Sequence, residues 1–384
     1  MSKAMYAFSG DPPTFGHLNI IERVARTFDE IIVGIGVNPD KKYMFSLDSR
    51  KKMTAKMVEH LSNVKVISFK GLLINYAYQN GIQSVVRGIR NTTDLEYEQT
   101  IHAVGASQRL DIETYCLFAD SKLAHVSSSS VKALQKESGF IHDYVPLHVK
   151  QALEIEMSNR YMLGVTGTVG AGKSTACKKI KKWCDVYKVP CTYIDLDKIG
   201  HDILNKLKEP AYVDLRRNLM YYFPKHVLQK DGFVNRKVLG QLVFEKPDLL
   251  VLLNELMKKP ILVRLVEALR EATGLVILES ALFVEAGILN ICNNNILLVT
   301  VEPDEQRERL KERDYGKEQI ERRINSQYSQ EEKLKKIKEE IRHCNHGSVF
   351  NASTQMDKIL RNVGYPLTGI TPVSWGFDGD LFKS

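Results

Sequence analysis

Short apolar runs rich in Val and Ile recur through residues 1–145: "AMYAF", "EIIVGIGV", "NVKVISF", "SVVRGI" and "DIETYCLF". Between them lie amphipathic stretches such as "LNIIERVARTF", "SRKKMTAKMVEHL" and "DLEYEQTIHAVGASQRL". Near-continuous apolar runs suit strands buried on both faces, and the stretches between them carry the spacing of one-sided helices. The alternation predicts an α/β, Rossmann-like domain: a parallel sheet with helices on both faces. "HDYVPLHVKQALEIEMSNR" then reads as a helix entered at Pro146 that runs into a polar joint. A second α/β pattern follows, with strands expected at "YMLGVT", "CTYIDL", "GLVILES" and "NILLVTV" and long helical stretches over 235–271 and 303–342. The expected domains are 1–157 and 158–364, followed by a Gly- and Pro-bearing extension at 365–384. The halves share no internal repeat, so they are different domains and not a duplication.

The formal net charge of +8 suits polyanionic partners. Lys and Arg are spread along the chain without a basic block, which points to small phosphorylated molecules and away from nucleic acid. Six cysteines show no CxxC spacing and read as reduced thiols. "HCNH", His343 to His346, lacks a second ligand cluster and reads as solvated residues near a helix end. No signal peptide precedes "MSKAMYAFSG" and no apolar run reaches the ~18 residues of a membrane span, so a soluble, cytoplasmic protein without a membrane partner is expected.

"GTVGAGKS", Gly167 to Ser174, matches G-x-x-x-x-G-K-[ST]. It follows an apolar strand and opens the helix "STACKKIKKW", the context a P-loop needs. Backbone N–H groups of Gly167, Thr168, Val169, Gly170, Ala171, Gly172, Lys173, Ser174 and Thr175 are expected to curl around ATP phosphates at a helix N-terminus. Lys173 would reach the β/γ-phosphates, and the Ser174 hydroxyl would ligate Mg²⁺. Asp195 and Asp197 sit two apart at a strand end, where one could take a proton from a substrate hydroxyl. Arg309 and Arg313, spaced i,i+4, would share a helical face, with Arg323 a second arginine position.

This half resembles dephospho-CoA kinase over roughly 161–363. The P-loop, the D-x-D, "DGFVNRKVLGQLVF", "LFVEAG" and "PDEQRERLKERD…RRINSQ" stand in family order. The resemblance implies Asp195 as the base acting on the ribose 3′-hydroxyl, Arg236 and Glu285 near the acceptor, and Arg313 on a helical lid. Lys259 replaces the family's usual His, Ala281 replaces a Pro, and "GSVFNAST" blurs the adenine loop.

The first loop, "SGDPPTFGH", has no GK[ST]. Two prolines stiffen it, and His17 enters the next helix, where it could donate to a phosphate oxygen as charge develops. Lys41 and Lys42, Arg87 and Arg90, and the Ser cluster with Lys132 all fall at C-terminal ends of candidate strands, where an open α/β sheet has its crevice.

Residues 1–155 resemble bacterial-type phosphopantetheine adenylyltransferase through "DPPTFGH", "NPDKKYMFSLDSR", "VRGIRNTTDLEYE" and "VSSSSVK", in order. The family usually begins this loop Gly-Thr-Phe-Asp-Pro; here Ser9 takes the Thr position and Gly10 the Phe position. The resemblance implies that Ser9, Lys41, Leu73 and Arg87 bind 4′-phosphopantetheine. It implies that Ser9, Gly10, His17, Gly88, Ile89, Arg90, Glu98, Leu123, Ala124, His125, Val126, Ser127, Ser128 and Ser129 bind ATP, with His17 stabilising the α-phosphate. Dephospho-CoA, the product of the first reaction, is the substrate of the second. Together the resemblances imply one chain performing the last two steps of coenzyme A synthesis with ATP and Mg²⁺. The alternatives are a different nucleotidyl acceptor, or a P-loop half that regulates without catalysing. A hexamer, a smaller oligomer and a monomer stay open.

Overall fold

The computed structural model describes residues 2–38, 41–313 and 315–351. The extension at 365–384 and residues 352–364 lie outside the described residues. The chain divides into two compact units between Leu153 and Glu154.

The first unit alternates strand and helix: β1 (Lys3–Phe8), α1 (Phe15–Ala25), β2 (Glu30–Ile35), α2 (Leu47–Met57), β3 (Val64–Ser68), α3 (Leu73–Gln79), β4 (Ser84–Ile89), α4 (Thr92–Ala106), β5 (Glu113–Phe118) and α5 (Ser128–Lys136); the division falls within the next helix, α6 (Leu147–Ser158). Its sheet is parallel, in the order β3-β2-β1-β4-β5. The period-two geometry of β1 sorts its side chains. Ala4 and Tyr6 join the cluster of Ile20, Ile21, Val33 and Met57, while Met5 and Ala7 join that of Ala77, Ile82 and Val85. Helices therefore cover both faces, as the apolar runs required. The strand order reverses between β1 and β4, which places the loops after these two strands at the crevice of the open sheet.

The second unit contains β6 (Arg160–Thr166), α7 (Lys173–Val186), β7 (Cys191–Asp195), α8 (Leu196–Asn205), α9 (Pro210–Leu219), α10 (Arg236–Glu245), α11 (Pro247–Arg270), β8 (Gly274–Glu279), β9 (Asn295–Leu298), α12 (Pro303–Lys311), α13 (Lys317–Asn325), α14 (Gln330–Cys344) and β10 (Ser348–Phe350). Its parallel sheet runs β10-β9-β6-β8-β7. The central strand β6 is buried along its whole length. Residues of α8 to α11 form a separate helical cluster around Tyr212, Leu219, Leu239 and Met257.

The two long helical stretches are broken. The 235–271 stretch stops at Lys246, whose extended backbone precedes Pro247 at the start of α11. The 303–342 stretch is three helices, interrupted by the extended Gly316 and by Ser329, which caps α14 in a reciprocal box with Glu332. Helices α3 and α9 and the three-residue β10 were not anticipated from the pattern. No helix among the described residues is long and apolar enough to cross a membrane.

Candidate active sites

The first site is built on the loop between β1 and α1. Gly10 sits at φ +63, where a side chain would be strained and a Cβ would lie 3.3 Å from Phe8 Cε2. A phenylalanine in this turn would be strained by the backbone conformation, so the turn is built for glycine. The turn is held from outside. Buried Asp11 accepts from the Met44 and Phe45 N–H groups at 3.1 and 3.0 Å and pairs with Lys132 Nζ at 3.0 Å. Arg50, 1% exposed, donates to the Ser9 carbonyl and, at 3.0 Å, to Gly36 O, with its guanidinium over the Tyr43 ring. Ser128 Oγ donates to Pro12 O at 2.8 Å. Lys132 is therefore a structural partner of the loop and not a free phosphate donor.

His17 stands in the first turn of α1, stacked on Phe8 with ring centroids 4.3 Å apart. The Thr14 N–H donates to His17 Nδ1 at 3.0 Å, and Thr14 Oγ1 lies 2.9 Å from the same nitrogen. An Nδ1 that accepts leaves the proton of the neutral ring on Nε2. Burial, aided by the positive charge of Arg90, pushes the pKa of His17 down to about 3. The imidazole is thus a neutral group with one fixed donor, at a helix N-terminus that favours negative charge.

The 121–126 turn closes beside it: a Cβ on Gly16 would be 3.6 Å from Val126 O and 3.8 Å from Leu123 O. Ser127 caps α5 in a reciprocal box with Ser130, leaving first-turn amides of α5 that no helical carbonyl can satisfy. This sets Gly16, the residue before His17, beside Leu123 and Val126 of the predicted Leu123, Ala124, His125, Val126, Ser127, Ser128 and Ser129 segment. Ser128 lends its hydroxyl to Pro12, and Ser129 stays exposed.

Arg87 and Glu98 were assigned to different ligands, but they bind each other. Arg87 Nε and Nη2 fork onto the two Glu98 oxygens at 2.5 and 2.7 Å, and Nη1 donates to Ala7 O at 3.0 Å. Glu98 therefore orients Arg87 and is not a free ATP-facing carboxylate. Gly88 and Ile89 complete β4, and Arg90 at its end pairs with Asp94 at 2.8 Å. Lys41 is exposed in the loop that Asp11 tethers. Leu73 opens α3 and packs toward Met5 and Ile82.

The second site is the turn between β6 and α7. Gly167 packs so tightly that a Cβ would be 2.2 Å from Val299 O, and Gly170 and Gly172 take φ of +80 and +93. Lys173 Nζ donates to Gly167 O and Thr168 O, both at 3.1 Å. Burial pushes its ammonium below the usual lysine range, against the pull of Asp197 and Glu279. Ser174 Oγ donates to Glu279 Oε1 at 2.7 Å, and the Tyr193 hydroxyl donates to Oε2 at 2.5 Å. Ala171, within the loop, is buried, while Thr175 is exposed on α7.

β7 ends at Asp195, so the two acids occupy different elements. Asp195 caps α8, its Oδ1 accepting from the Lys198 N–H at 2.9 Å. Asp197, in the first turn of α8, accepts from Ser280 Oγ at 3.4 Å and acts electrostatically on Lys173. Arg236 Nη2 donates to His201 Nε2 at 2.6 Å. Glu285 accepts from Lys333 Nζ at 2.6 and 2.7 Å and from the Tyr328 N–H at 3.0 Å. It is therefore committed to a buried pair, not free toward an acceptor. The same Lys333, fully buried, donates to Ala281 O at 2.8 Å. Lys259 is exposed on α11.

Arg309 and Arg313 do not share a helical face, because α12 ends at Lys311 and Arg313 lies in the following turn. Arg309 stands over the P-loop, with Nη1 3.4 Å from Gly170 O. Arg313 is exposed, and its charge lowers the Lys173 pKa. Arg323 is held between the Phe244 and Tyr315 rings, 4.6 and 4.2 Å from their centroids.

Arg50, Glu279, Lys333 and Gln327 were missed. Glu279 left a faint signal, a carboxylate ending an apolar run. Lys333 left none, since one lysine in a polar helix looks like any other.

Comparisons with known proteins agree with both halves. A cytidylyltransferase-like family model matches residues 9–134, and a dephospho-CoA kinase model matches residues 161–347. The phosphopantetheine adenylyltransferase of Syntrophomonas wolfei is 40% identical over 159 residues, 41% of this chain and 99% of its own. That of Clostridium tetani is 39% identical over 146 residues, 38% of this chain and 91% of its own. Among solved structures, TT1252 from Thermus thermophilus covers 53% of this chain and 94% of its own at 25% identity, with a TM-score of 0.39. Through its first unit the chain belongs to the phosphopantetheine adenylyltransferase family, and it joins to that unit a dephospho-CoA kinase domain, which makes it a bifunctional transferase.

Proposed function

We propose that the chain carries out the last two steps of coenzyme A synthesis, each on one unit. The first unit transfers the adenylyl group of ATP to 4′-phosphopantetheine: a phosphate oxygen attacks the α-phosphate and pyrophosphate leaves. The observation that carries this is the neutral, Nε2–H-bearing His17 at the α1 N-terminus, one residue after Gly16, which lies beside the turn that leads into α5. Such donors stabilise charge that grows on a pentavalent phosphate, and no covalent intermediate is needed. Lys41 and the Glu98-oriented Arg87 hold the phosphopantetheine phosphate.

The second unit phosphorylates the ribose 3′-hydroxyl of dephospho-CoA. Lys173 and the P-loop amides hold the β/γ-phosphates, and Arg313 and Arg309 neutralise the transferred group. The base is one of the paired acids. Asp197 has the stronger claim over Asp195, because it lies with Lys173 and Ser280 while Asp195 spends an oxygen on capping α8. The all-oxygen donor set of Ser174 and Glu279 fits Mg²⁺, which keeps waters and takes phosphate oxygens instead of needing a closed protein cage. Ser174 and Glu279 would hold Mg²⁺ there, and its charge would offset that of the phosphates.

The first unit also offers a surface for a second copy. α4 has no buried residue, and Tyr97, Val104, Tyr115 and Phe118 are 52–70% exposed on α4 and the sheet-edge strand β5. A homo-oligomer through this face predicts that Phe118→Lys reduces the sedimenting mass. A cytoplasmic location suits the six free cysteines.

The deciding experiment supplies 4′-phosphopantetheine and ATP and follows dephospho-CoA and CoA by chromatography. CoA formation is expected. Dephospho-CoA that accumulates without CoA would support a regulatory P-loop unit instead.

A further inference from the structure

Two glutamines join the P-loop to the arginine-bearing arm, and a third ties the arm's two roots together. At the loop's apex the Val169 N–H donates to Gln327 Oε1 at 3.0 Å, and Val169 O accepts from Gln306 Nε2 at 2.7 Å. A third glutamine clasps Val301: its N–H donates to Gln330 Oε1 at 2.8 Å, and its carbonyl accepts from Gln330 Nε2 at 2.7 Å. Val301 lies just before α12, and Gln330 opens α14 just after α13. Residues 302–329 therefore leave and rejoin the fold at one stitched point. Gln306 is buried, 5% exposed, and its main chain passes 3.4 Å from where a Cβ on Gly170 would stand.

We infer that Gln306, Gln327 and Gln330 are positioning residues for the phosphorylation, registering Arg309 and Arg313 against the nucleotide phosphates: Gln306 and Gln327 through the P-loop backbone, and Gln330 by closing the roots of the arm on each other. A carboxamide offers one donor and one acceptor, the complement of a peptide N–H and C=O. The Val169 carbonyl cannot face a phosphate oxygen, because both are acceptors, and its N–H is already turned to Gln327. Val169 is thus an anchor, although its place in the P-loop motif suggested a phosphate contact. Displacing the arm must break these bonds or drag the loop with it. Because the clasp is neutral, it leaves the positive field at the phosphates to the arginines and Lys173.

The inference rests on the kinase reading, and the test separates the two. In the full chain, Gln306→Met and Gln327→Met keep side-chain length and remove the hydrogen bonds. Each is expected to lower kcat for dephospho-CoA phosphorylation about tenfold, the upper range for one neutral hydrogen bond, with KM for ATP moving less than about threefold. The double variant is expected to raise ATP hydrolysis per phosphate transferred. Gln327→Glu keeps an acceptor for the Val169 N–H and should recover most of the rate lost in Gln327→Met. Gln306→Glu sets a carboxylate against the Val169 carbonyl and should recover none. Adenylyl transfer should be unchanged throughout. An unchanged kcat, a loss confined to ATP affinity, or equal behaviour of the two Glu variants would overturn the clasp. A wild-type chain that cannot phosphorylate dephospho-CoA would remove the kinase reading itself, and the clasp with it.

Discussion

The loops at 9–14 and 167–172 each carry a parallel strand into a helix N-terminus, yet they are held in opposite ways. The first is pinned by charged side chains: Asp11 reaches Met44, Phe45 and Lys132, and Arg50 reaches the Ser9 carbonyl. Its backbone is committed to this scaffold, and it presents a side chain, the His17 imidazole. The second is pinned by glycine geometry and by neutral carboxamides on Val169, and it presents backbone amides with Lys173 beneath them. A single fixed donor suits one phosphorus centre that gains charge as it becomes pentavalent. A ring of amides suits a β/γ-phosphate tail that must be gripped along its length. The two designs match the two bonds of ATP that they are proposed to break.

The sharpest way to break this comparison is Lys173→Ala. It should lower CoA formation from dephospho-CoA by about 10³-fold or more, since the cation that offsets transferred-phosphate charge is lost, while pyrophosphate release stays normal. If both activities fell together in a folded variant, the loops would not serve separate reactions. His17→Ala should cost adenylyl transfer about 10²-fold or more, the scale of one lost oxyanion donor, with phosphorylation of added dephospho-CoA intact. Asp197→Asn should slow phosphorylation about 10²-fold at unchanged ATP affinity, as expected for a lost general base. Asp195→Asn, which keeps a capping oxygen, should do less; the reverse ranking would return the role of base to Asp195.

The smallest effect is in the pH dependence. Burial pushes His17 down to about 3 and His148 to about 4, and the His148 Nε2–H donates to Met53 O at 2.9 Å. Both rings are neutral in the folded chain, whereas in the unfolded chain they protonate near ~6.5. Their contribution is complete above that value and is lost as pH falls toward 4 and then 3. His148→Gln should flatten the fall in Tm between pH 6.5 and 4. For the same reason, kcat/KM for adenylyl transfer should show no His17 inflection between pH 5 and 8.

Local chemistry was legible wherever it is carried by spacing or by backbone need. The Lys173 loop, the strand end at Asp195 and the helix entry at His17 all depend on residues adjacent in the chain. Partner choice was not legible. Arg87 and Glu98 were read as two ligand-facing groups, and Glu285 as an acceptor contact, because nothing local records that one charge will meet another across the fold. Arg309 and Arg313 failed for a different reason: the i,i+4 rule holds only inside a helix, and α12 ends between them.

The amino-acid sequence by itself determined two parallel α/β units, the two strand-to-helix loops at 9–14 and 167–172 and their order, because strand and helix periodicity and glycine-bearing turns are local properties. Only the tertiary structure decided which charges remain free for a substrate. It spends Asp11, Lys132, Glu98, Glu285 and Lys333 on holding the sites and leaves Lys41 and Arg313 exposed. A buried charge must find a partner, and that partner is set by the packing of distant elements.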